Sequence, residues 1–145
     1  MLIRGLWTLC DDGIIRPVIE SEVLAADGSW LRVELLVDMG ADRTVFTAAV
    51  LATLALPHLP ASYQLGGVGG PASTVAVATH IRLPRGGGST IAFQGSFAGF
   101  TQADALDMCV LGRDILNLFA VIVDRPGDAV CMLGQGHGYT ITKQS

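Results

Sequence analysis

Alternation of apolar and polar residues marks two neighbouring strands in the first third of the chain. Residues 18–24 alternate apolar or small side chains with glutamates, and residues 31–37 alternate again after a turn at Asp27 and Gly28. A period of two is typical of half-buried strands, and the short connection predicts a hairpin. The second strand of this hairpin runs directly into an acid, Asp38.

The pattern of apolar residues predicts strands along most of the remaining chain as well. Residues 120–123 are apolar throughout, which indicates a central strand that is buried on both faces. Further strands are predicted at residues 1–9, 44–46, 75–81, 90–97, 109–111, 129–133 and 139–142.

Two short helical segments interrupt the strands. Thr47 can cap a helix over residues 48–56, which Pro57 would end. Asp114 can cap a single helical turn over residues 115–118.

Composition fits one all-β domain over residues 1–145. The chain has 145 residues, half of them hydrophobic, so it can bury a real core and is not expected to be disordered. Eighteen glycines and few long helical patterns favour strands and turns. A net charge of −4 without a basic cluster argues against nucleic acid or an anionic membrane as a partner.

Cysteine and histidine positions imply neither a disulfide framework nor a metal site. Three cysteines are an odd number at wide spacing, and the histidines lack ligand spacing: Cys10, Cys109, Cys131, His58, His80 and His137. The N-terminus lacks the pattern of a signal peptide, and no apolar run approaches the ~20 residues that span a bilayer. The expectation is a cytoplasmic protein with no cofactor.

Asp38 stands at an unusual place, on a sharp turn between two apolar strands. An uncompensated buried charge is costly, so an acid at such a position usually has a function. The alternative is a turn acid that accepts hydrogen bonds from nearby backbone N–H groups.

The residues that follow Asp38 resemble the active-site loop of retropepsin-like aspartic proteases. In that family an apolar pair precedes Asp, Thr or Ser, Gly and Ala, and here Asp38, Gly40 and Ala41 match. Asp42, Thr44 and Val45 match the viral members as well, whereas Met39 replaces the hydroxyl residue of the family.

Two further elements of the resemblance lie downstream in the expected order. An apolar pair followed by Gly112, Arg113 and Asp114 is similar to the family's second element. Where the family carries its flap, this chain has a glycine-rich stretch formed by Gly66, Gly67, Val68, Gly69 and Gly70.

Two other interpretations of the glycine-rich stretch are an inert hairpin tip and a phosphate-binding loop. The dinucleotide fingerprint would need Gly at the position of Ala72 and a helix afterwards. A predicted strand follows instead, which favours a flap hairpin.

The resemblance implies a small closed β-barrel of the retropepsin type, with one or two short helices and a flap hairpin. It implies an aspartic endopeptidase that cleaves a peptide or protein substrate without metal. Each chain supplies one catalytic residue, Asp38, so the active enzyme would be a homodimer. Family members hold such dimers partly with interleaved terminal strands, for which residues 1–9 and 139–142 are the candidates by position.

The resemblance also assigns roles around the catalytic acid. Gly40 and Ala41 would leave room for the substrate, and Asp42 would pair with Arg113, buried or half-buried, and help bind substrate backbone. Arg43 stands where viral members have a substrate-pocket residue; an ordinary solvated arginine is the alternative.

Met39 is the main departure from the family pattern. The family's hydroxyl bonds reciprocally across the twofold axis, and methionine has no donor for that bond. Three explanations are open: a weakened or lost protease, a branch that packs Met39 across the axis, or an introduced substitution. The alternative function is therefore a catalytically weakened or inactive retropepsin-like module that binds peptides or acts as a scaffold.

Overall fold

The computed structural model describes residues 1–61, 65–67, 70–134 and 140–142, and for residues 65–67 and 70–72 it describes the backbone. Within these residues the strands are β1 (Leu2–Arg4), β2 (Leu6–Leu9), β3 (Ile15–Leu24), β4 (Trp30–Val37), β5 (Val45–Phe46), β6 (Leu59–Pro60), β7 (Leu65–Gly67), β8 (Gly70–Ala72), β9 (Thr74–Pro84), β10 (Thr90–Phe100), β11 (Val110–Leu111), β12 (Ala120–Asp124) and β13 (Ala129–Leu133). The helices are α1 (Ala48–Leu54) and α2 (Arg113–Leu116).

Eight strands form one large sheet in the order β2-β3-β4-β11-β5-β10-β9-β6. β3 also pairs with β9, where Glu22 lies opposite Arg82 and Val23 lies opposite Ile81. Because β3 and β9 stand far apart in the strand order, this second pairing brings the sheet back on itself. The predicted all-β class with short helices is confirmed.

Two long antiparallel hairpins supply most of this sheet. In the first, β3 and β4 pair from Val18 opposite Leu36 to Leu24 opposite Trp30, as the alternation predicted. In the second, β9 and β10 pair over eleven positions. Both strands of the second hairpin extend beyond the apolar runs that predicted them.

A single hydrophobic cluster connects the large sheet to a smaller one. It includes Leu35 of β4, Phe46 of β5, Leu111 of β11 and Met132 of β13, all of them fully buried. Burying a side chain of this size contributes roughly 1.5–3 kcal/mol. The cluster therefore fixes the strands that precede and follow the Asp38 turn.

The smaller sheet has the order β1-β13-β12. The prediction of one strand over residues 1–9 is wrong, because β1 belongs to this sheet and β2 to the large one. The chain changes sheets at Gly5, where a Cβ atom would lie 2.5 Å from the carbonyl oxygen of Val18. Only glycine fits so close an approach.

The prediction that residues 120–123 form a central strand is also wrong for the single chain. β12 pairs with β13 and stands at an edge of the smaller sheet. Ile122 and Val123 are 39% and 44% exposed. The apolar run indicated burial on both faces, and within the described part of the chain no further strand pairs with this edge.

Capping explains both the success and the failure of the helix predictions. Thr47 caps α1 as predicted, since its hydroxyl accepts a hydrogen bond from the Val50 N–H. The helix ends earlier than expected, at Leu54, and its C-cap Ala55 has a left-handed φ of 54°. α2 starts at Arg113 with Gly112 as its N-cap, so the cap predicted at Asp114 is wrong.

The glycine-rich stretch forms a hairpin in which β7 and β8 pair antiparallel, with Gly67 opposite Gly70. Val68 and Gly69, which were also predicted to belong to the flap, lie outside the described residues. The predicted last strand at 139–142 falls partly outside them, and residues 140–142 form no strand. Among the helices of the described chain, none has the length and apolarity to cross a bilayer.

Candidate active site

The acid at the end of β4 is held in place from the neighbouring strand. β11 runs parallel to β4 with Leu111 opposite Val37, and the Asp38 N–H donates to the Leu111 carbonyl at 3.2 Å. Since Leu111 is fully buried and Val37 nearly so, the backbone on both sides of the acid is anchored in the core. Asp38 itself is only half-buried.

Local hydrogen bonds orient the Asp38 side chain. Its Oδ1 accepts from the Gly40 N–H at 2.9 Å, and its carbonyl accepts from the Ala41 N–H at 3.2 Å. A Cβ atom at Gly40 would lie 3.1 Å from Oδ1, which is tight. These are the contacts expected of an aspartate in a turn. They use Oδ1 and the carbonyl oxygen, whereas Oδ2 takes no part in the hydrogen bonds of the turn.

The second family element packs directly against this loop. The Arg113 N–H donates to the Ala41 carbonyl at 2.8 Å, and the Asp114 N–H donates to the Asp42 carbonyl at 3.2 Å. A Cβ atom at Gly112 would lie 2.2 Å from the carbonyl carbon of Arg43. The close approach of the two segments therefore requires glycine at position 112.

A network that sequence reasoning missed links Asp114 to Thr44. One carboxylate oxygen accepts from the Thr44 N–H at 2.9 Å and the other from its hydroxyl at 2.7 Å. The same hydroxyl accepts from the Gly112 N–H at 3.2 Å. Thr44 is fully buried, so these bonds satisfy polar groups that water cannot reach. The match of Thr44 to the viral pattern was the only signal for it.

Asp42 and Arg113 form the predicted ion pair. The expected burial holds only for Arg113, which is half-buried, because the Asp42 side chain is 73% exposed. Arg113 also donates through Nη1 to the Met39 carbonyl at 3.3 Å. One guanidinium thus contacts the loop at two points, on either side of Gly40 and Ala41.

The remaining predicted residues lie at the surface of the loop or apart from it. Met39 is 46% exposed, and Arg43 is exposed as well. Gly66 and Gly67 lie in β7 and Gly70 in β8, so their backbone belongs to the hairpin.

The described residues contain no cluster of potential metal ligands. Cys109 is buried, and burial raises the pKa of its thiol. Cys10 and Cys131 are partly exposed.

Comparison with known proteins identifies the fold of this chain but finds no close relative. No family model matches the chain, and no curated protein matches it. Among solved structures, EIAV protease in complex with an inhibitor shares 26% identity at a TM-score of 0.52, over 70% of this chain and 86% of that one. The fold is that of the retropepsin-like aspartic proteases.

A second retropepsin-like neighbour covers more of the chain. An aspartic protease of this type from Rickettsia conorii has a TM-score of 0.54 over 91% of this chain and 88% of its own, at 18% identity. At that identity the likeness concerns the fold alone. The resemblance inferred from the motifs is thereby confirmed at the level of architecture.

Proposed function

We propose that this retropepsin-like protein is an aspartic endopeptidase that acts as a homodimer, with Asp38 of each chain as the catalytic pair. The observation that carries the proposal is the half-buried Asp38 on a loop that β11 and α2 fix by backbone hydrogen bonds. A catalytic group must be held close to its productive geometry, and this loop supplies such a support.

The chemistry follows from bringing two carboxylates together. Like charges a few ångströms apart do not both ionise easily, so the pair shares one proton. The ionised Asp38 acts as general base on a water molecule, which attacks the peptide carbonyl. The protonated Asp38 of the other chain donates to the carbonyl oxygen. When the tetrahedral intermediate collapses, the C–N bond breaks and the proton taken from water passes to the leaving amine nitrogen. The mechanism needs no metal and forms no covalent intermediate.

The need for a second chain comes from the sequence, in which Asp38 starts the one Asp-x-Gly-Ala segment, whereas the other Asp-x-Gly triplet, Asp11 to Gly13, is followed by Ile14. An isologous twofold dimer places the same loop from each chain at the axis. Met39, beside Asp38, exposes a large apolar side chain that such a contact would cover.

Substrate binding is assigned to the residues around the acid. Gly40 and Ala41 present little side chain, so an extended peptide can approach the carboxylates closely. The exposed Asp42 offers a carboxylate to substrate N–H groups while Arg113 holds it, and Arg43 would favour acidic or polar substrate side chains. The β7–β8 hairpin is the proposed flap.

A second candidate function is a peptide-binding or scaffold module that has lost hydrolysis. The observation that favours it is Met39, which provides neither a donor nor a strong acceptor for bonds across a twofold axis. The fold and the loop support described above do not depend on that side chain.

Peptide cleavage distinguishes the two candidates. The wild-type chain should cleave members of a peptide library at some pH, Asp38→Asn should abolish cleavage, and a chelator should have no effect. The matched control is Asp104→Asn, at an exposed acid outside the loop. Cleavage that survives Asp38→Asn would refute the mechanism, and absence of cleavage at every pH would favour the binding module.

A further inference from the structure

A cavity of about 620 Å³ lies between the tip of the β2–β3 hairpin, strand β4 and the segment that leads into β11. Its lining includes four carboxylates, from Asp11, Asp12, Glu34 and Asp107, and one guanidinium, from Arg16. None of these carboxylates has a role in the mechanism proposed above. We call this space the acidic cavity.

The acidic cavity has an excess of negative charge. Arg16 donates to both carboxylate oxygens of Asp12, at 2.8 and 2.7 Å, so these two charges neutralise each other. Asp11, Glu34 and Asp107 are exposed, and none of them takes part in an ion pair among the described residues. Three carboxylates of the lining therefore lack a paired cation.

The lining suits a long organic cation better than a metal ion. The part of the chain that the structure describes has no group of His, Cys, Asp and Glu side chains that could hold a metal. The cavity is also lined by two apolar side chains, Leu9, which is 69% exposed, and Met108. Lysine and arginine can pack their apolar stems on such a surface while the charged end stays beside carboxylates.

The register of the large sheet places the acidic cavity on the face that carries Asp38. β3 and β4 pair antiparallel, with Val18 opposite Leu36. Two positions further along each strand, Arg16 and Asp38 fall on the same face, because side chains alternate with a period of two. Glu34 lies on that face as well, two positions before Leu36. The cavity is therefore an extension of the surface beside the candidate catalytic acid.

Strand β11 leads to the same place from the other side. It runs parallel to β4 with Val110 opposite Leu36, and Met108, two positions earlier, lines the cavity. Glu34 precedes Asp38 by four residues of strand, which span roughly 13 Å. An extended peptide rises about 3.3 Å per residue, so a peptide held at Asp38 reaches the cavity within about four residues of the cleaved bond.

We propose that the acidic cavity is a specificity pocket in which Asp11, Glu34 and Asp107 bind a lysine or arginine side chain of the peptide held at Asp38. The inference rests on the proposed function, because it takes Asp38 as the point through which the peptide passes. It names the substrate class as peptides with a basic side chain near the cleaved bond. The preference assigned to Arg43 concerns another position of the peptide, since Arg43 does not line this cavity.

Pairs of matched peptides test the pocket. One peptide of each pair carries lysine at a single position, and the other carries norleucine there, which has a similar apolar stem and no charge. Wild type should cleave the lysine peptide with about tenfold higher kcat/KM, because three exposed ion pairs are each weak but act together. The Asp38→Asn chain should bind the lysine peptide about tenfold more tightly in fluorescence anisotropy.

Neutralising the carboxylates should remove this preference. In the triple variant Asp11→Asn, Glu34→Gln, Asp107→Asn, the ratio between lysine and norleucine peptides should fall close to one, and added salt should lower it in wild type by screening. The matched control is Asp104→Asn, an exposed acid in the same loop as Asp107 that does not line the cavity, and it should keep the full preference. All replaced acids are exposed, so circular dichroism should show an unchanged fold.

The outcomes separate the pocket from the proposed function. A lysine preference that the triple variant loses and Asp104→Asn keeps supports the pocket. The same preference in binding, without cleavage of any peptide, supports the pocket and overturns the proposed hydrolysis. Asp38-dependent cleavage with no lysine preference, or with one that the triple variant retains, overturns the pocket and leaves the proposed function standing. Absence of both binding and cleavage overturns both.

Discussion

Asp114 holds Thr44 by both of its carboxylate oxygens, although the two residues lie 70 positions apart. This contact joins the start of α2 to the strand that leaves the Asp38 loop. Thr44 is buried and would have no other acceptor for its N–H among the described contacts. The geometry of the candidate active site therefore depends on a residue outside the Asp38 loop.

Removing the Asp114 carboxylate should destabilise the fold. Asp114→Ala leaves the N–H and hydroxyl of Thr44 buried without that acceptor, and an unsatisfied buried group costs about 1–3 kcal/mol. Asp114→Asn keeps one acceptor oxygen and should lose less. Urea unfolding measures both, with Asp104→Ala as the control. Equal stability of Asp114→Ala and wild type would contradict the role assigned to this contact.

Arg113→Ala should affect activity more than stability. Its ion pair with Asp42 is solvent-exposed, and exposed pairs contribute about 1 kcal/mol or less. The same guanidinium holds the Met39 carbonyl, so its loss should loosen the loop that carries Asp38. Peptide turnover and urea unfolding separate the two effects.

The control for Arg113 is Arg32→Ala, which removes another exposed ion pair, with Glu20, far along β4 from the loop. It should change stability by a similar amount and leave turnover intact. Equal turnover loss in both variants would mean that Arg113 has no specific role at the site.

Asp12 should titrate well below an ordinary aspartate. Its hydrogen bond from Arg16, followed by one from the Ile14 N–H, lowers its pKa from 3.8 to about 2. A lowered folded-state pKa means that this contribution to stability is present above about pH 4 and is lost as the pH falls toward 2. Carboxyl NMR should show the low value, and Arg16→Gln should raise it. An unchanged titration in Arg16→Gln would contradict the assigned cause.

Met39→Thr should raise turnover without changing the fold, if the protein is a weakened protease. Threonine restores a donor and an acceptor on each side of the axis, and each new bond contributes about 1 kcal/mol. The two bonds of a dimer together contribute about 2 kcal/mol, and lost methionine packing offsets part of this, so dimer affinity should rise about tenfold. Turnover is compared at matched dimer occupancy, with Met39→Ala as a control that removes the side chain without adding a donor. Turnover no higher than wild type would show that Met39 is not the defect.

Local signals predicted the parts of this molecule that depend on near neighbours. Thr47 caps its helix because the cap needs only a residue three positions away, and the β3–β4 hairpin follows from alternation and one turn. The motif match around Asp38 placed the loop and its contact with Gly112 and Arg113 correctly. Each of these features depends on a short stretch of sequence.

The wrong predictions concern features that depend on contacts between segments distant in sequence. Gly5 separates two strands because the backbone of Val18 approaches it closely. The residues next to Gly5 in sequence give no sign of this approach. Asp114 carries a capping pattern but binds Thr44 instead. β12 was predicted to be central from its apolar residues, but it stands at an edge of the smaller sheet, and the strand order depends on pairings between segments that are distant in sequence.

The shared catalytic pair is tested most directly by mixing wild-type chains with Asp38→Asn chains and measuring peptide turnover after exchange. If one site uses Asp38 from both chains, a mixed dimer is inactive, and an equal mixture keeps about one quarter of the activity of the same total amount of wild type. If each chain acts alone, about one half remains, since half the chains are intact. The account predicts one quarter, and a value of one half would contradict it.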